Sequence, residues 1–462
     1  MKLTKLSLVA ALLIGSSAFA IENTKVSGDV KLYYGTMDSD AANAPDMFDK
    51  DASYGDAALH LGLTTDLSEG VSAGVSVTAV STLGLENNLV TNTWSNSHTI
   101  SNSEGADFVG RLNVEEKQLD DAMWVDEAWI AGTALDTTVK VGRMTLDTPL
   151  AFTETWGIDS NTFEAAVLIN QSLPGTTLIG AYVGKSNGSA DDEATIASLQ
   201  NISAGGATAL NGVTLNAIES AQSGYVSVDG KFNTFGTDGV YVAGLINNSW
   251  KPLTVSAWYY DLQKMADAYW LQADVNLDGI LAGAQYTEVD ADKLIAGTDK
   301  DKAYALMLGY EMKDTMTVKV AYSSVDDEGT IGVANVATGG DTYEAGRNGS
   351  GAQSKLYTEM WWNYGAVSTT GADSYSLTVE ATVGPEIELF AGYYYADINV
   401  GSGSSANANN DEELTEIALT ASKSFGPLDT SLALIIDDFE DNLNSANDEK
   451  VTTLQVYLTY NF

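Results

Sequence analysis

The sequence predicts an all-β chain that closes into an antiparallel transmembrane β-barrel of about 18 strands, with short periplasmic turns and long extracellular loops. Three observations lead to this prediction. Apolar and polar residues alternate over segments of roughly ten residues. Short and long connections between these segments alternate along the chain. The chain ends in a further alternating segment whose last residue is aromatic.

The alternation is clearest in residues 71–79, where valine and alanine occupy every second position and serine, glycine and threonine lie between them. The same pattern occurs in residues 318–323 and 374–383. A helix would scatter these apolar side chains around its circumference, whereas a strand collects them on one face. Each segment is therefore predicted to be a strand with one apolar and one polar face.

The connections fall into two length classes. Short ones carry the glycine, proline, aspartate and asparagine that tight reversals require; they lie at 67–70, 134–136, 172–175, 248–252, 276–279, 313–315, 384–386 and 426–427. Long, mostly acidic ones lie at 36–53, 81–121, 144–162, 186–238, 261–267, 289–301, 325–372, 398–411 and 439–449. Eight turns and nine loops that alternate connect eighteen strands, the even number typical of bacterial outer-membrane barrels.

Three segments leave alternatives open. Residues 225–232 and 355–362 also alternate, and we assign both to loops because the succession of turns and loops holds only without them. Sixteen and twenty strands remain alternatives to eighteen. A short helix is an alternative for residues 191–202, inside the fourth loop.

The two ends of the chain carry targeting signals. Lys2 and Lys5 precede a short apolar stretch, and Ala18-Phe19-Ala20 supplies a small-x-small cleavage pattern, so residues 1–20 are predicted to be a cleavable signal peptide and residues 21–462 one barrel domain. At the other end, Phe462, Tyr460 and Leu458 share one face of the last strand. A terminal strand of this kind resembles the signal read by the outer-membrane barrel insertion machinery, which is an expected partner.

Composition limits the classes of function. The chain has no cysteine, so it has neither disulfides nor thiolate metal sites, and no apolar run after the signal is long enough for a transmembrane helix. The net charge is −41, or −43 once Lys2 and Lys5 are removed (−41 − 2). Such acidity excludes nucleic acid as a partner, because the phosphate backbone requires basic surface. Cations are the expected counterpart.

An eighteen-stranded barrel is too wide for its own side chains to fill. We therefore expect a water-filled channel in the outer membrane, surrounded by lipid and lipopolysaccharide, that lets ions and small hydrophilic solutes diffuse passively. One alternative is a substrate-specific channel, which would carry a ladder of basic or aromatic residues. Another is a barrel that acts as an adhesin or a structural layer through its loops.

Three stretches resemble the major outer-membrane porins of epsilon-proteobacteria. They are the signal-like start Met1–Ala11, the segment Val139–Arg143 with the following residues 146–159, and the hairpin Asp373–Asp397. The resemblance implies an eighteen-stranded, trimeric, cation-preferring general porin whose third loop folds inward. The lengths and charges of the other long loops find no support in it.

The resemblance also implies a pore constriction. It places Arg143 on the barrel wall, facing Asp147, Glu154 and Asp159 of the inward-folded loop, so that a transverse field sets the ion preference. Strict alternation would instead put Arg143 on the lipid face, where it would lie at the water interface. The pore position therefore needs a bulge at Gly142 or an end-of-strand position.

Other polar residues are candidates for lesser roles. Asp126 and Glu127 are expected to line the lumen or to lie at a solvated loop root, as are Glu115 and Glu116. Arg111 and Arg347 are expected on loop surfaces. No cofactor is expected, although the acidic stretches 290–292 and 437–441 have the oxygen ligands that Ca²⁺ prefers.

No enzyme is expected. His60, predicted on the lumenal face, and His98, in a loop, are the only histidines, and neither a Gly-x-Ser-x-Gly elbow nor a phosphate-binding glycine loop occurs.

Overall fold

The computed structural model describes residues 22–41, 44–85, 89–90, 122–155, 157–188, 230, 232–234, 238–293, 299–329, 332–336, 352–384, 386–400 and 410–462. The predicted signal peptide, the predicted helix at 191–202 and the residues Glu115, Glu116, Arg111, Arg347 and His98 lie outside these ranges. None of the helices in the described ranges has the length and apolar character needed to cross a bilayer.

Eighteen long strands form the molecule. We number them β1 (Glu22–Ser39), β2 (Ser53–Ser68), β3 (Val71–Ser81), β4 (Ala122–Ala134), β5 (Thr137–Met144), β6 (Phe163–Leu173), β7 (Thr176–Ser186), β8 (Val240–Asn247), β9 (Leu253–Leu262), β10 (Ala266–Leu277), β11 (Ile280–Asp290), β12 (Asp301–Met312), β13 (Met316–Val325), β14 (Ala372–Val383), β15 (Ile387–Val400), β16 (Asn410–Phe425), β17 (Leu428–Asp441) and β18 (Glu449–Asn461). A two-residue strand, Asn233–Thr234, pairs with the end of β7. Short 3-10 turns lie at Lys50–Ala52, Ala366–Ser368 and Ser445–Asn447.

The sheet closes on itself. Each strand pairs antiparallel with the next, and β18 pairs with β1 over eleven residue pairs, from Asp29–Asn461 to Ser39–Val451. At the seam the backbones of Gly28 and Phe462 exchange two hydrogen bonds of 2.9 Å. The eighteen-stranded closed barrel predicted from the sequence is confirmed, with its eight turns at one end and its nine other connections, most of them longer, at the other. The alternative counts of sixteen and twenty strands are wrong.

The segment 355–362 lies in the loop between β13 and β14 and forms no strand. Its alternating pattern has another cause, because its buried side chains pack against the inner wall of the barrel. Of the second ambiguous segment, 225–232, the structure describes only Gly230 and Phe232, and neither is in a strand.

Tyrosines mark the extracellular edge of the outer apolar surface. Their hydroxyls donate to carboxylates that lie nearer the extracellular end of the wall. The pairs are Tyr259–Asp267 (2.7 Å), Tyr286–Glu288 (2.9 Å), Tyr322–Asp373 (2.8 Å) and Tyr395–Glu413 (2.9 Å). Below them the outward side chains are large and apolar, such as Leu271, Leu306 and Leu377. A ring with an apolar body and a polar tip suits the boundary between lipid and water.

The barrel interior is packed rather than empty along much of its length. The wall side chains of Trp270 and Tyr260 are fully buried, as are Leu150 and Met360 of two loops that fold inward. Aromatic residues near the strand ends thus have two positions: Tyr259 and Tyr269 face outward, whereas Trp258, Tyr260 and Trp270 face the interior.

We predict that the seam at Gly28 tolerates no side chain. An added Cβ would lie 2.4 Å from the His60 carbonyl oxygen and 2.7 Å from the Phe462 ring, so Gly28→Ala should cost about 1–3 kcal/mol through overpacking. Gly132→Ala is the control, because nothing lies within 4 Å of its Cβ position. The measurement is the temperature at which the folded band disappears in heat-modified gel electrophoresis. Equal temperatures for both variants would contradict the prediction.

Candidate functional site

The loop between β5 and β6 (residues 145–162), called L3 because it is the third of the nine loops, folds into the barrel. Its tip is a small turn in which Asp147 and Phe152 form a bridge and Thr153 N donates to Leu146 O at 2.8 Å. The tip residue Leu150 is buried, and its backbone N–H donates to the Tyr260 hydroxyl of β9 at 3.2 Å. L3 therefore reaches the wall strand β9.

The loop between β13 and β14 (residues 326–371), called L7, also enters the barrel. Tyr357 is held by β10 and β11: its N–H donates to Gln285 Oε1 at 3.1 Å and its hydroxyl to Asp274 Oδ1 at 2.5 Å. Gln285 in turn donates to the carbonyl of Lys355 at 2.8 Å, and Thr358 shares a hydrogen bond with Ser323 of β13. Residues 355–358 of the loop are thus tied to three strands of the wall.

Further along, L7 is anchored on the C-terminal strands by one carboxylate. Glu416 of β16 accepts from the backbone N–H groups of Trp361 (2.7 Å), Trp362 (3.1 Å) and Asn363 (2.8 Å). The Asn363 amide also donates to Glu416 and to Asp437 of β17, both at 2.8 Å. Glu416 and Asp437 are fully buried, so this anchor is shielded from solvent and its hydrogen bonds are strengthened.

L3 and L7 are also bonded to each other. Asn335 of L7 accepts from Phe152 N at 3.2 Å and donates to Phe152 O at 2.9 Å. Glu154 of L3 accepts from the Asn335 amide and from Gln353 N, both at 2.9 Å. Val336 N donates to Leu150 O at 2.9 Å. The two loops therefore form one unit across the interior, which we call the L3–L7 junction.

Residues 7–358 match a family model described as Gram-negative porin. The chain belongs to the Gram-negative porin family. It is an integral outer-membrane protein with the architecture of an outer-membrane channel. Among curated proteins none matches the chain.

Solved structures with a similar fold include three outer-membrane proteins. OccK8 (OprE) of Pseudomonas aeruginosa has a TM-score of 0.62 and 14% identity, over 96% of this chain and 100% of that chain. OpdK of the same organism, solved with vanillate, has a TM-score of 0.61 and 12% identity over the same shares. OccAB4 of Acinetobacter baumannii has a TM-score of 0.61 and 13% identity, over 96% of this chain and 99% of that chain. At these identities the likeness concerns the fold.

In this porin the three acidic residues predicted in L3 have different surroundings. Asp147 is 86% exposed and lies 2.9 Å from the ammonium of Lys355, which belongs to L7. Glu154 is buried in the L3–L7 junction. Asp159 is buried near Asp126, and burial together with that neighbouring carboxylate raises the pKa of Asp159 well above its ordinary value. Only Asp147 therefore presents its charge to solvent.

Asp126 and Glu127 lie at a bulge of β4. The register between β3 and β4 shifts there, so both residues oppose Ser76 and both face the interior. Asp126 accepts from the Trp124 indole at 2.9 Å and from the Thr78 hydroxyl. Glu127 accepts from the Trp129 indole at 3.1 Å and lies 4.0 Å from Lys140.

Arg143 lies elsewhere than the resemblance implied. Its cross-strand partners are Ala128 and Glu164, and alternation places it on the outer face with Val141, which is 46% exposed. The guanidinium donates to Glu164 Oε1 from Nε at 3.1 Å and from Nη2 at 3.0 Å. Gly142 has φ +129°, but the pairing of β5 continues through it without a shift in register, so no bulge turns Arg143 inward. The expectation that Arg143 faces the acidic residues of L3 is corrected.

Several residues that hold the two inward loops in place were not predicted from the sequence. The sequence contains one feature that could have identified Glu416: it is a lone carboxylate between the apolar inward residues Leu414 and Ala418. Asn335 and Gln353 lie in a long polar loop in which nothing distinguishes them. His60 faces the lumen as expected, and its Nδ1 lies 2.8 Å from Asp29 Oδ2.

The predicted calcium-binding stretches have protein partners. Asp290 lies 3.1 Å from Lys300, Asp437 is bonded to Asn363, and Asp441 accepts from the Asn447 amide at 2.7 Å. In the part of the chain that the structure describes, no group of three or more histidine, aspartate or glutamate residues is arranged to hold a metal ion.

We predict that L7 is released when its anchor is removed. Glu416→Ala leaves the N–H groups of Trp361, Trp362 and Asn363 without their acceptor, so the loop should leave the wall and single-channel conductance should rise. Glu413→Ala is the control: Glu413 is on the same strand but bonds Tyr395 on the outer face. The measurement is conductance in planar bilayers. Unchanged conductance in a folded Glu416→Ala barrel would contradict the prediction.

We also predict a pH dependence from Glu359 of L7. Burial raises the pKa of Glu359 from 4.5 to about 8. The native loop thus binds a proton that the unfolded chain releases, so stability falls as pH rises from about 4.5 to about 8 and then levels off. Heat-modification temperatures recorded over this range should decline less steeply for Glu359→Gln than for the wild type. Parallel slopes would show that Glu359 does not contribute.

Proposed function

We propose that this porin is a passive diffusion channel for ions and small hydrophilic solutes, with a preference for cations and without enzymatic activity. The L3–L7 junction is the observation that carries the proposal. An eighteen-stranded barrel without inward loops would leave a wide lumen. Two loops bonded to the wall and to each other narrow the path, so that solutes pass close to fixed charges.

The charges of the interior support cation preference. Asp147, exposed at the edge of the junction, stands beside a single lysine, Lys355. Deeper on the wall, Asp126 and Glu127 stand together beside Lys140. A carboxylate excess in a narrow aqueous path lowers the energy of a cation relative to an anion. The net charge of −41 acts in the same direction at the channel mouth.

A substrate-specific channel is the second candidate. The interior filled by two loops favours it, and OpdK, one of the proteins with a similar fold, was solved with vanillate. Such a channel for organic anions would use the cationic side chains of the interior, among them Lys140 and Lys355. Current block by an aromatic carboxylate at low concentration would favour this candidate over general diffusion.

Several further proposals rest on the sequence. We propose cleavage of residues 1–20, recognition of Phe462, Tyr460 and Leu458 by the insertion machinery, assembly as a homotrimer and a closer relation to the epsilon-proteobacterial porins. We also propose that the acidic loops can bind Ca²⁺.

The decisive experiment is single-channel recording in a KCl gradient. We expect ohmic conductance and a cation-preferring reversal potential. Asp147→Asn should lower the ratio of cation to anion permeability roughly twofold, and Lys355→Gln should raise it, because each removes one charge from the same narrow region. Asp136→Asn, in the periplasmic turn between β4 and β5, is the control.

Each outcome has a distinct meaning. Anion preference in the wild type would overturn the proposed selectivity and favour the second candidate. Equal permeability ratios in the Asp147, Lys355 and Asp136 variants would show that the L3–L7 junction does not control ions. Absence of conductance from folded protein would favour an adhesin or structural role.

A further inference from the structure

An open groove of 960 Å³ lies on the outer face of the barrel at the extracellular ends of β4 to β7. Its floor consists of outward apolar side chains, including Val125, Val141 and Ala166. Arg143, Glu164 and Lys185 form its charged part. The groove is separated from the L3–L7 junction by the barrel wall, so it plays no part in the proposed conduction.

The cationic side chains of the groove are held in place. Arg143 is fixed by its two bonds to Glu164 and by a third to Val125 O at 3.0 Å, and its guanidinium stacks on the Phe232 ring at 4.0 Å. Lys185 is half-exposed and lies 3.7 Å from Glu164. A bulge at Gly184 keeps Lys185 on the same face as Glu164. The guanidinium is therefore oriented before any ligand arrives.

The charge balance of the groove differs from that of the neighbouring rim. Arg143 and Lys185 share one carboxylate, Glu164, and the other acidic lining residue, Asp238, is paired with Lys264 at 2.5 Å. Lys264, which does not line the groove, thus neutralises Asp238, and the two cations of the lining share the one remaining carboxylate of Glu164.

At two other places on the outer rim the ratio is reversed. Lys293 contacts both Asp261 (2.7 Å) and Asp267 (2.8 Å). Lys300 contacts both Glu288 (2.7 Å) and Asp290 (3.1 Å). On a strongly acidic protein, an excess of positive charge in a groove attracts an anion.

The tyrosines place the groove at the lipid–water boundary. Tyr182 lines it, packs against Tyr241 with the ring centroids 5.0 Å apart and tilted by 46°, and donates to Asp238 O at 3.1 Å. Its ring belongs to the same outward row that continues to Tyr259 and Tyr269. Below this level Leu168 and Val139 are exposed to the bilayer. The charged part of the groove therefore lies at head-group height and its apolar floor at acyl-chain height.

We propose that the groove binds a phosphate-bearing lipid of the outer leaflet, with the phosphate at Arg143 and Lys185 and an acyl chain over Val141 and Ala166. A guanidinium and an ammonium together match the charge of a phosphate group, and Arg143 can present its remaining N–H groups to it. The apolar floor accepts a chain that a free anion lacks.

The test uses the purified, delipidated porin in detergent, with lipid A carrying its phosphates and dephosphorylated lipid A as probes. Retention is measured by native mass spectrometry. The wild type should retain the phosphorylated probe preferentially. Lys185→Gln should reduce this retention roughly five- to tenfold, because one of the two charge-assisted contacts is lost. Lys300→Gln is the matched control, since its ammonium lies between two carboxylates.

Lys185→Gln leaves every hydrogen bond of Arg143 in place, so the barrel should fold normally, as heat modification will verify. The double variant with Arg143→Gln should abolish the preference. Equal retention of both lipids by the wild type, or unchanged retention in the double variant, would overturn the proposal. Displacement of the lipid by inorganic phosphate would indicate a free-anion site and would also overturn it. Cross-linking of two chains through the groove would assign it to subunit contact instead.

Discussion

A bilayer offers no partner for a backbone N–H or C=O group, and the rest of this structure depends on that constraint. A sheet can satisfy all its backbone groups only by closing. The pairing of β1 with β18 accomplishes this, and the double hydrogen bond between Gly28 and Phe462 completes it at the last residue of the chain. Closure by eighteen strands then creates an interior that wall side chains alone cannot fill.

The inward loops fill this interior with apolar side chains such as Leu150 and Met360, and polar contacts hold their backbones in place. A loop brings its own unpaired backbone groups into the barrel, and each buried one needs a partner. The wall supplies them individually: Tyr260 bonds the tip of L3, Gln285 bonds L7, and Glu416 accepts three consecutive N–H groups. The junction is thus held by specific hydrogen bonds, and its position is defined by where those residues lie on the wall.

The sequence allowed the barrel to be predicted because period-two alternation and turn chemistry are local properties. Strand number, turn positions and the lumenal face of His60 all follow from residues close together in the chain. The junction could not be predicted this way. Glu154 and Asn335 are 181 residues apart and meet only because the barrel brings their loops together.

The error in the predicted position of Arg143 has a different cause. Alternation alone assigned it to the outer face, and the family resemblance pointed inward. The structure contains a bulge close by, but it lies one strand away at Asp126 and Glu127. Beyond a bulge, every side chain of that strand faces the side opposite to the one that simple alternation assigns. A prediction that places the bulge on the neighbouring strand therefore assigns a membrane-facing charge to the lumen.

The anchoring of L7 has a consequence for which parts of the chain determine its position. The loop lies between β13 and β14, but Glu416 and Asp437 belong to β16 and β17, which come later in the chain. The contacts of L7 with Gln285, Asp274 and Ser323 involve strands β10, β11 and β13. The contacts that hold L7 are therefore complete only when strands on both sides of the loop in the chain are in the same closed sheet. The position of L7 is consequently set by the closed barrel as a whole and not by the two strands that flank the loop.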